Sequence, residues 1–429
     1  MTHRDAPTAR YLVGDVFERM AELEDGSVDL VMTSPPFLAL RSYLPDDHPD
    51  KAKEIGSEAT PAEFIDTLLR LTAEWGRLLA PHGSICVELG DTYAGSGGAG
   101  GGYGLRDGQP WFDGSVRAAR SAEESRLGVD ARNRGNTSRG TSAGGDWPLE
   151  KSLCGIPTLY AWSLAYGRNL LTGEPSPAGR WRIRNLVAWV RPNPPVGALG
   201  DKFRPATSYL TIATRARDRY FDLDAVRDKS KPPNRTPRAG KKEIANPDRR
   251  TNSQGTGDNP AGAPPLDWWE IPTQPYSGSH YAVYPEELCI KPIEAMCPRR
   301  VCTTCGQPSR RIVERSERYA AARAAIGDFN QRGAGNGVSG SRSVLCKAAG
   351  GDITAAEHVT VGWSDCGHGT WRPGHVLDPF AGTGTTLAVA VGHGRAATGI
   401  DIDPRNADLA RERIGMFLTV DDPRAEVAR

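Results

Sequence analysis

The 429-residue sequence is short of cysteine, of net charge and of long apolar runs, and each shortage removes a class of protein. Eight cysteines, most of them isolated, are too few for a disulfide scaffold, so they read as reduced thiols or metal ligands. The 53 Lys and Arg residues balance 52 Asp and Glu, leaving a formal charge of +1. Phosphate attraction therefore cannot come from the chain as a whole, and any nucleic-acid contact needs a local basic patch. No stretch approaches the roughly 18 uninterrupted apolar residues of a membrane-spanning helix. Met1-Thr2-His3-Arg4-Asp5 leads into no apolar run of signal-peptide length, and a soluble intracellular protein is expected. The length allows one large α/β domain with insertions or two domains.

What is present is unevenly placed, above all the 49 glycines and 33 prolines. Tyr11-Leu12-Val13 and Val28 to Thr33 are short apolar runs of strand length, and the second must stop at Ser34-Pro35-Pro36-Phe37, since proline donates no ladder hydrogen bond. Phe64, Leu68, Leu71, Trp75 and Leu78 recur at steps of four and three, which predicts a helix over 62–79. Pro81-His82-Gly83 is expected to end it before a strand over 84–89. From Ala94 to about Trp147 the composition turns to Gly, Ser, Arg and Asn without apolar periodicity, as expected of a long insertion. A helix over 159–170 and strands over 184–190 and 209–214 follow. Residues 227–250 are polar, with nine Lys or Arg against three acids. Near the end come a strand at 375–377, a glycine turn, a helix over 385–392 and a strand over 397–400 ending in Asp401: a βαβ unit.

Two constellations carry chemistry. Asp378-Pro379-Phe380-Ala381-Gly382-Thr383-Gly384-Thr385-Thr386 lies between a strand and a helix, where glycines let the backbone approach a ligand and the helix start supplies free amides. Asp401, ending the next strand, is placed to accept hydrogen bonds from ribose hydroxyls. The turn is neither G-x-G-x-x-G nor a G-K-[ST] phosphate loop, so a nucleoside with a charged, non-phosphate tail fits better than a pyrophosphate. In Thr33-Ser34-Pro35-Pro36-Phe37, an aromatic ring and proline-stiffened carbonyls follow a strand directly. Phe37 can stack on a flat base while Ser34 and the Pro35 carbonyl accept hydrogen bonds from an exocyclic amine.

Together these motifs resemble the amino-methyltransferases of DNA, in which S/D/N-P-P-Y/F lines the target base and F-x-G-x-G binds S-adenosylmethionine. With the base motif first and the cofactor motif near the end, the order is that of the beta class. Gly14-Asp15, Leu89 to Tyr93, Trp189 to Pro194, Arg204 to Thr207 and His280 to Leu288 also resemble family segments. The resemblance implies an α/β fold: a doubly wound, mostly parallel, Rossmann-like sheet with permuted motif order and inserted loops. It places Asp15, Thr33, His280, Pro285, Leu288, the residues 378–386 and Asp401 against S-adenosylmethionine, and Ser34, Pro35, Pro36 and Phe37 against the base. It divides the chain into catalytic segments 8–93 and 151–226, cofactor segments 266–300 and 370–420, and insertions 94–150, 227–265 and 301–369.

The chemistry agrees with this. An exocyclic amine is a poor nucleophile because its lone pair is delocalised into the ring, and hydrogen bonds that hold its N–H groups out of plane localise that pair for in-line attack. Methylation at ring carbon would need a Pro-Cys nucleophile, whereas Cys297-Pro298 has the reverse order and lies elsewhere. In the family, Ser at the first position of the base motif mostly accompanies cytosine N4 and Asp or Asn mostly adenine N6, so Ser34 implies N4. Methylation of adenine N6 is the alternative within this class, and a nucleic-acid binding protein without catalysis, or a methyltransferase of RNA or protein, the alternatives outside it. The expected partners are duplex DNA and a cognate restriction endonuclease, with no membrane; monomer and homodimer stay open, in the cytoplasm of a bacterial or phage system. Lys229, Lys231, Arg235, Arg238, Lys241, Lys242, Arg249 and Arg250 are expected to meet phosphates. Cys302-Thr303-Thr304-Cys305 with Cys366-Gly367-His368 offers four ligands for a structural zinc ion, with Cys346 as an alternative.

Overall fold

A computed structural model describes residues 8–39, 44, 48–94, 104–106, 109–111, 146–194, 202–228, 263–274, 284–315, 317 and 358–423. The chain forms two compact units, one of Met1–Phe221, Asp267–Pro308 and Thr370–Arg429, the other of Asp222–Leu266 and Ser309–Gly369. The first carries strands β1 (Ala9–Val13), β2 (Val28–Thr33), β3 (Leu79–Leu89), β4 (Gly104–Arg106), β5 (Gln109–Trp111), β6 (Arg182–Val190), β7 (Thr207–Thr214), β8 (Trp268–Glu270) and β9 (Arg300–Cys302). The second carries β10 (Arg311–Arg315) and β11 (His358–Trp363), an antiparallel pair. The first unit resumes with β12 (Trp371–Pro373), β13 (His375–Asp378), β14 (Ala396–Asp401) and β15 (Leu418–Asp421). Its helices are α1 (Val16–Ala21), α2 (Pro61–Leu78), α3 (Ile156–Tyr166), α4 (Glu286–Met296), α5 (Thr385–Gly392) and α6 (Pro404–Ile414).

Nine strands make one sheet in the order β15-β1-β14-β13-β2-β3-β7-β6-β8. Among the described residues all its pairings are parallel except the two made by β7, which runs against the rest. This is the expected mostly parallel, doubly wound α/β sheet. The chain-late strands β13 and β14 lie beside the chain-early β2 and β1, which is the permuted order in three dimensions. The central strands are buried on both faces, as a sheet covered by helices requires: every residue of β2 is buried.

Helix α2 forms where the periodicity placed it. Thr60 accepts from the Glu63 amide at 3.2 Å and Pro61 occupies the first turn, while Phe64, Leu68, Leu71, Trp75 and Leu78 face the core. The strand after it begins earlier than expected. Val28 pairs with Leu79 and Leu30 with Ser84, so residues 80–83 bulge out of the ladder, which spares Pro81 the hydrogen bond it cannot donate. The bulge brings His82 to within 2.9 Å of the buried Asp29 carboxylate, which Arg372 also holds at 2.6 Å. Burial pushes Asp29 up, but the hydrogen bonds from His82 and Arg372 outweigh it and keep the acid below its ordinary range. Among the described residues no helix is long and apolar enough to cross a membrane.

Candidate active site

The site grows from the switch point of the sheet. β13 and β2 are neighbours although far apart in sequence, and the turns that leave their carboxyl ends diverge into the crevice where such sheets bind ligands. The two motifs are tied across it, because Thr33 at the end of β2 donates to Asp378 Oδ1 at 2.7 Å. Phe380 N (3.1 Å) shares that oxygen, while Thr386 Oγ1 (2.6 Å) and Tyr284 Oη (3.0 Å) donate to Oδ2. Burial raises the Asp378 pKa against these four hydrogen bonds. Both its oxygens are filled, so it is the anchor of the turn.

Beyond Asp378 the backbone folds round glycine. Gly384 caps α5 at φ +75°, and a Cβ there would sit 3.0 Å from Ala410 Cβ on α6, so both the backbone turn and the close helix approach require glycine. Tyr11 from β1 donates to the Gly382 carbonyl at 2.6 Å from beneath. Asp401 accepts from Gly382 N at 2.9 Å, Asp403 N at 2.8 Å and Asn406 Nδ2 at 3.1 Å. Burial lifts its pKa to about 6 in spite of those bonds. An ionised carboxylate offers about four acceptor positions, so some capacity remains for a hydroxyl. Among the described residues Thr383 Oγ1 in the same turn is buried without a hydrogen-bond partner. A bare glycine turn, an orphan hydroxyl, a partly used carboxylate and the start of α5 together fit a nucleoside with polar groups to satisfy. Asp15 caps α1, its Oδ1 accepting from Phe17 N at 3.0 Å and Glu18 N at 3.1 Å, and the preceding Gly14 N bonds the Asp401 carbonyl at 2.9 Å.

On the other side of β2 the base turn leans on β3. Ser34 Oγ donates to Glu88 Oε2 at 2.6 Å. The Phe37 ring lies on Gly90: a Cβ there would come within 2.6 Å of ring Cε2, so only glycine leaves the ring its place. Pro35 is buried, while Ser34, Pro36 and Phe37 are half-buried. Burial raises the Glu88 pKa, and the Ser208 and Ser34 hydroxyls and the Arg191 charge draw it back only in part.

The remaining expected residues divide. Pro285 precedes α4, and Leu288 is buried within that helix. Cys302 is buried in β9 opposite Trp371, and Cys305 is exposed. In the second unit Cys366 Sγ and His368 Nδ1 are 3.4 Å apart. His280, Cys346 and the eight Lys and Arg residues from Lys229 to Arg250 lie outside the described residues. Sequence reasoning missed Glu88 and Tyr284 as site residues. Tyr284 stands inside the segment resembling a family motif, which was a usable signal; Glu88 had none, since only the register of β3 against β2 brings it to Ser34.

Comparison with known proteins bears on the whole arrangement. The family model described as DNA methylase matches residues 28–300 and 369–412, most of the chain and both turns. The type II methyltransferase M.SmaI of Serratia marcescens is 24% identical over 408 residues, 95% of this chain and 91% of the relative. M.Cfr9I of Citrobacter freundii, also a type II methyltransferase, is 25% identical over 293 residues, 67% of this chain and 73% of its own. Among solved structures, the PvuII DNA methyltransferase (cytosine-N4-specific) aligns over 99% of this chain and 91% of its own, at 13% identity and a TM-score of 0.42. S-adenosylmethionine is the methyl donor of this enzyme family. The chain belongs to the DNA methylase family of amino-methyltransferases, with the beta-class order of its motifs.

Proposed function

We propose that this chain is a type II modification methyltransferase that methylates the exocyclic N4 of cytosine in duplex DNA, the target base being turned out of the helix into the crevice. The observation that carries the reading is the pairing at the switch point: Thr33 bonded to the cofactor turn and the next residue, Ser34, bonded to Glu88 beside the Phe37 ring. One residue step thus separates the anchor of the cofactor side from the hydroxyl that would meet the amine. S-adenosylmethionine supplies a methyl group on a sulfonium sulfur. Ser34 and the Pro35 carbonyl accept the two amine N–H groups, Phe37 stacks on the ring, and the enclosing turns hold the nitrogen in line with the methyl carbon. Residues 378–386 and Asp401 would hold this cofactor, whose sulfur would keep the electron pair of the broken C–S bond while the methylated nitrogen releases one proton to solvent. The names of the type II relatives support a place in restriction-modification, in the bacterial cytoplasm and alongside a cognate endonuclease. Digestion of enzyme-treated DNA to nucleosides, followed by mass analysis, tests it: N4-methylcytosine is expected, and N6-methyladenine alone overturns the choice of base.

The basic segment from Lys229 to Arg250 and the divisions drawn from the sequence belong to the same proposal. Charge reversal at Lys241 and Lys242 should weaken DNA binding on every sequence and flatten its salt dependence; unchanged affinity and slope overturn the assignment. A structural zinc ion held by Cys302, Cys305, Cys366 and His368, with Cys346 as the alternative ligand, is supported by the C-x-x-C and C-x-H spacing. About one zinc per chain after chelator-free purification is expected, and far less removes the ion.

A further inference from the structure

Buried polar groups in folded proteins nearly always find partners, and a cluster that does not marks a place where something else completes it. Such a cluster adjoins Ser34. Glu88 pairs with Leu210 across β3 and β7, and Ser208, two residues along β7, shares its face of the sheet. Ser208 in turn lies opposite Trp189 on β6, and Arg191, its amide bonded to the Ala206 carbonyl at 2.8 Å, continues that face. Among the described residues Glu88 Oε1, Ser208 Oγ and Arg191 Nε are all buried and none has a partner within hydrogen-bond distance, although the Ser208 hydroxyl lies near enough to Glu88 to favour its charged form. Glu88 is 3% exposed and Ser208 not at all. The Arg191 guanidinium stacks 5.1 Å from the centroid of the Trp189 ring, which fixes its plane.

We propose that Glu88 and Arg191 read the Watson–Crick edge of the target base, Glu88 donating to ring N3 and Arg191 to O2, and that they thereby select cytosine over adenine. The inference rests on the reading of Ser34 as the contact to the exocyclic amine. Cytosine presents in line an amine, a ring-nitrogen acceptor and a carbonyl acceptor; adenine presents an amine, a ring-nitrogen acceptor and a C–H. The protein presents, in the same order along the sheet, Ser34, Glu88 and Arg191. The hydrogen bonds close without conflict. The amine N–H donates to Ser34 Oγ, Ser34 donates to Glu88 Oε2 as observed, and the acid proton on Oε1 is left for N3. Burial favours that protonated form of Glu88. Adenine would leave the buried guanidinium of Arg191 facing a C–H group, the kind of mismatch a polar pocket rejects strongly.

The test compares kcat/KM on duplexes carrying cytosine or 3-deazacytosine, whose N3 is a C–H, at the position that the nucleoside analysis identifies. Wild type, Glu88→Gln, Glu88→Leu and Arg191→Met are used, with S-adenosylmethionine binding by calorimetry as the check that each variant is folded. Wild type should lose about tenfold or more on the analogue. Glu88→Gln, whose amide also donates to N3, should keep most activity and the same preference. Glu88→Leu should lose about tenfold on cytosine and no longer distinguish the two bases, and Arg191→Met should lose about tenfold on both with cofactor affinity unchanged. Discrimination that survives in Glu88→Leu, or a Glu88→Gln enzyme as damaged as Glu88→Leu, overturns the inference while leaving cytosine methylation intact. A wild-type product of N6-methyladenine overturns the functional reading itself.

Discussion

Asp378 and Glu88 invite comparison because they flank one strand. Each is a carboxyl group buried at the carboxyl end of a strand beside β2, each is pushed up by burial, and each is reached by one of two consecutive residues, Thr33 and Ser34. Their surroundings differ. Asp378 has four donors spread over both oxygens, whereas Glu88 has one donor on Oε2 and, among the described residues, none within hydrogen-bond distance of Oε1, with the Ser208 hydroxyl only nearby. A saturated buried carboxyl holds a turn in one shape, since every alternative leaves a donor bare. A half-filled one contributes little to the fold and keeps hydrogen-bonding capacity for a ligand.

The strongest way to break this comparison is at the base turn. Ser34→Ala removes the hydroxyl that bonds Glu88 and is proposed to meet the amine, and methyl transfer should fall about 100-fold or more while the melting temperature hardly moves; a labelled-methyl assay beside a thermal melt checks both. Next in size is the pair of isosteric changes. Asp378→Asn sets an amide N–H against donors on one side and should cost about 2 kcal/mol in denaturant unfolding. Glu88→Gln should cost under about 0.5 kcal/mol, because a neutral amide keeps the acceptor for Ser34. Equal costs would mean that the unfilled oxygen of Glu88 has no bearing on function.

Asp401 sharpens the contrast through pH. With its pKa at about 6, the ribose contact proposed for it is lost as acid is added, so affinity for S-adenosylmethionine should weaken about tenfold per pH unit below 6. Stability responds with the opposite sign. A carboxyl whose pKa is higher folded than unfolded favours the fold when protonated, so its contribution is complete below about pH 4 and is lost as pH rises through 6. Calorimetry and melting across that window separate the two trends. A modest effect is expected at Gly384→Ala, where a left-handed backbone and the nearby Ala410 methyl together should cost about 1 kcal/mol, between the costs at Asp378 and Glu88.

How much of this was legible in the sequence follows from the range of the interactions. The unit from His375 to Asp401 could be read almost residue for residue, because a strand, a glycine turn and a helix are set by neighbours in the chain. The start of β3 was misplaced because Pro81 and Gly83 are breakers in isolation, whereas here the ladder passes them by as a bulge. Asp15 carries a helix-capping role that the resemblance did not mention. Glu88 lay beyond reach altogether, for an acid in a strand interior gains meaning only from the register that sets it beside Ser34 and Ser208.

The position of β1 has a consequence for how the molecule is made. Among the described residues its two neighbours in the sheet are β14 and β15, and Ala9–Val13 pairs with residues from Ala397 onward. At ordinary rates of translation, that first strand waits roughly 20 to 80 s before its partners are synthesised. Through that interval an apolar strand stands with both edges unpaired, open to aggregation and to chaperones. The base turn is already synthesised while the cofactor turn is still missing. A nascent or prematurely ended chain therefore has no means of methylating DNA, and competence arrives in a single step when the late strands insert beside the early ones.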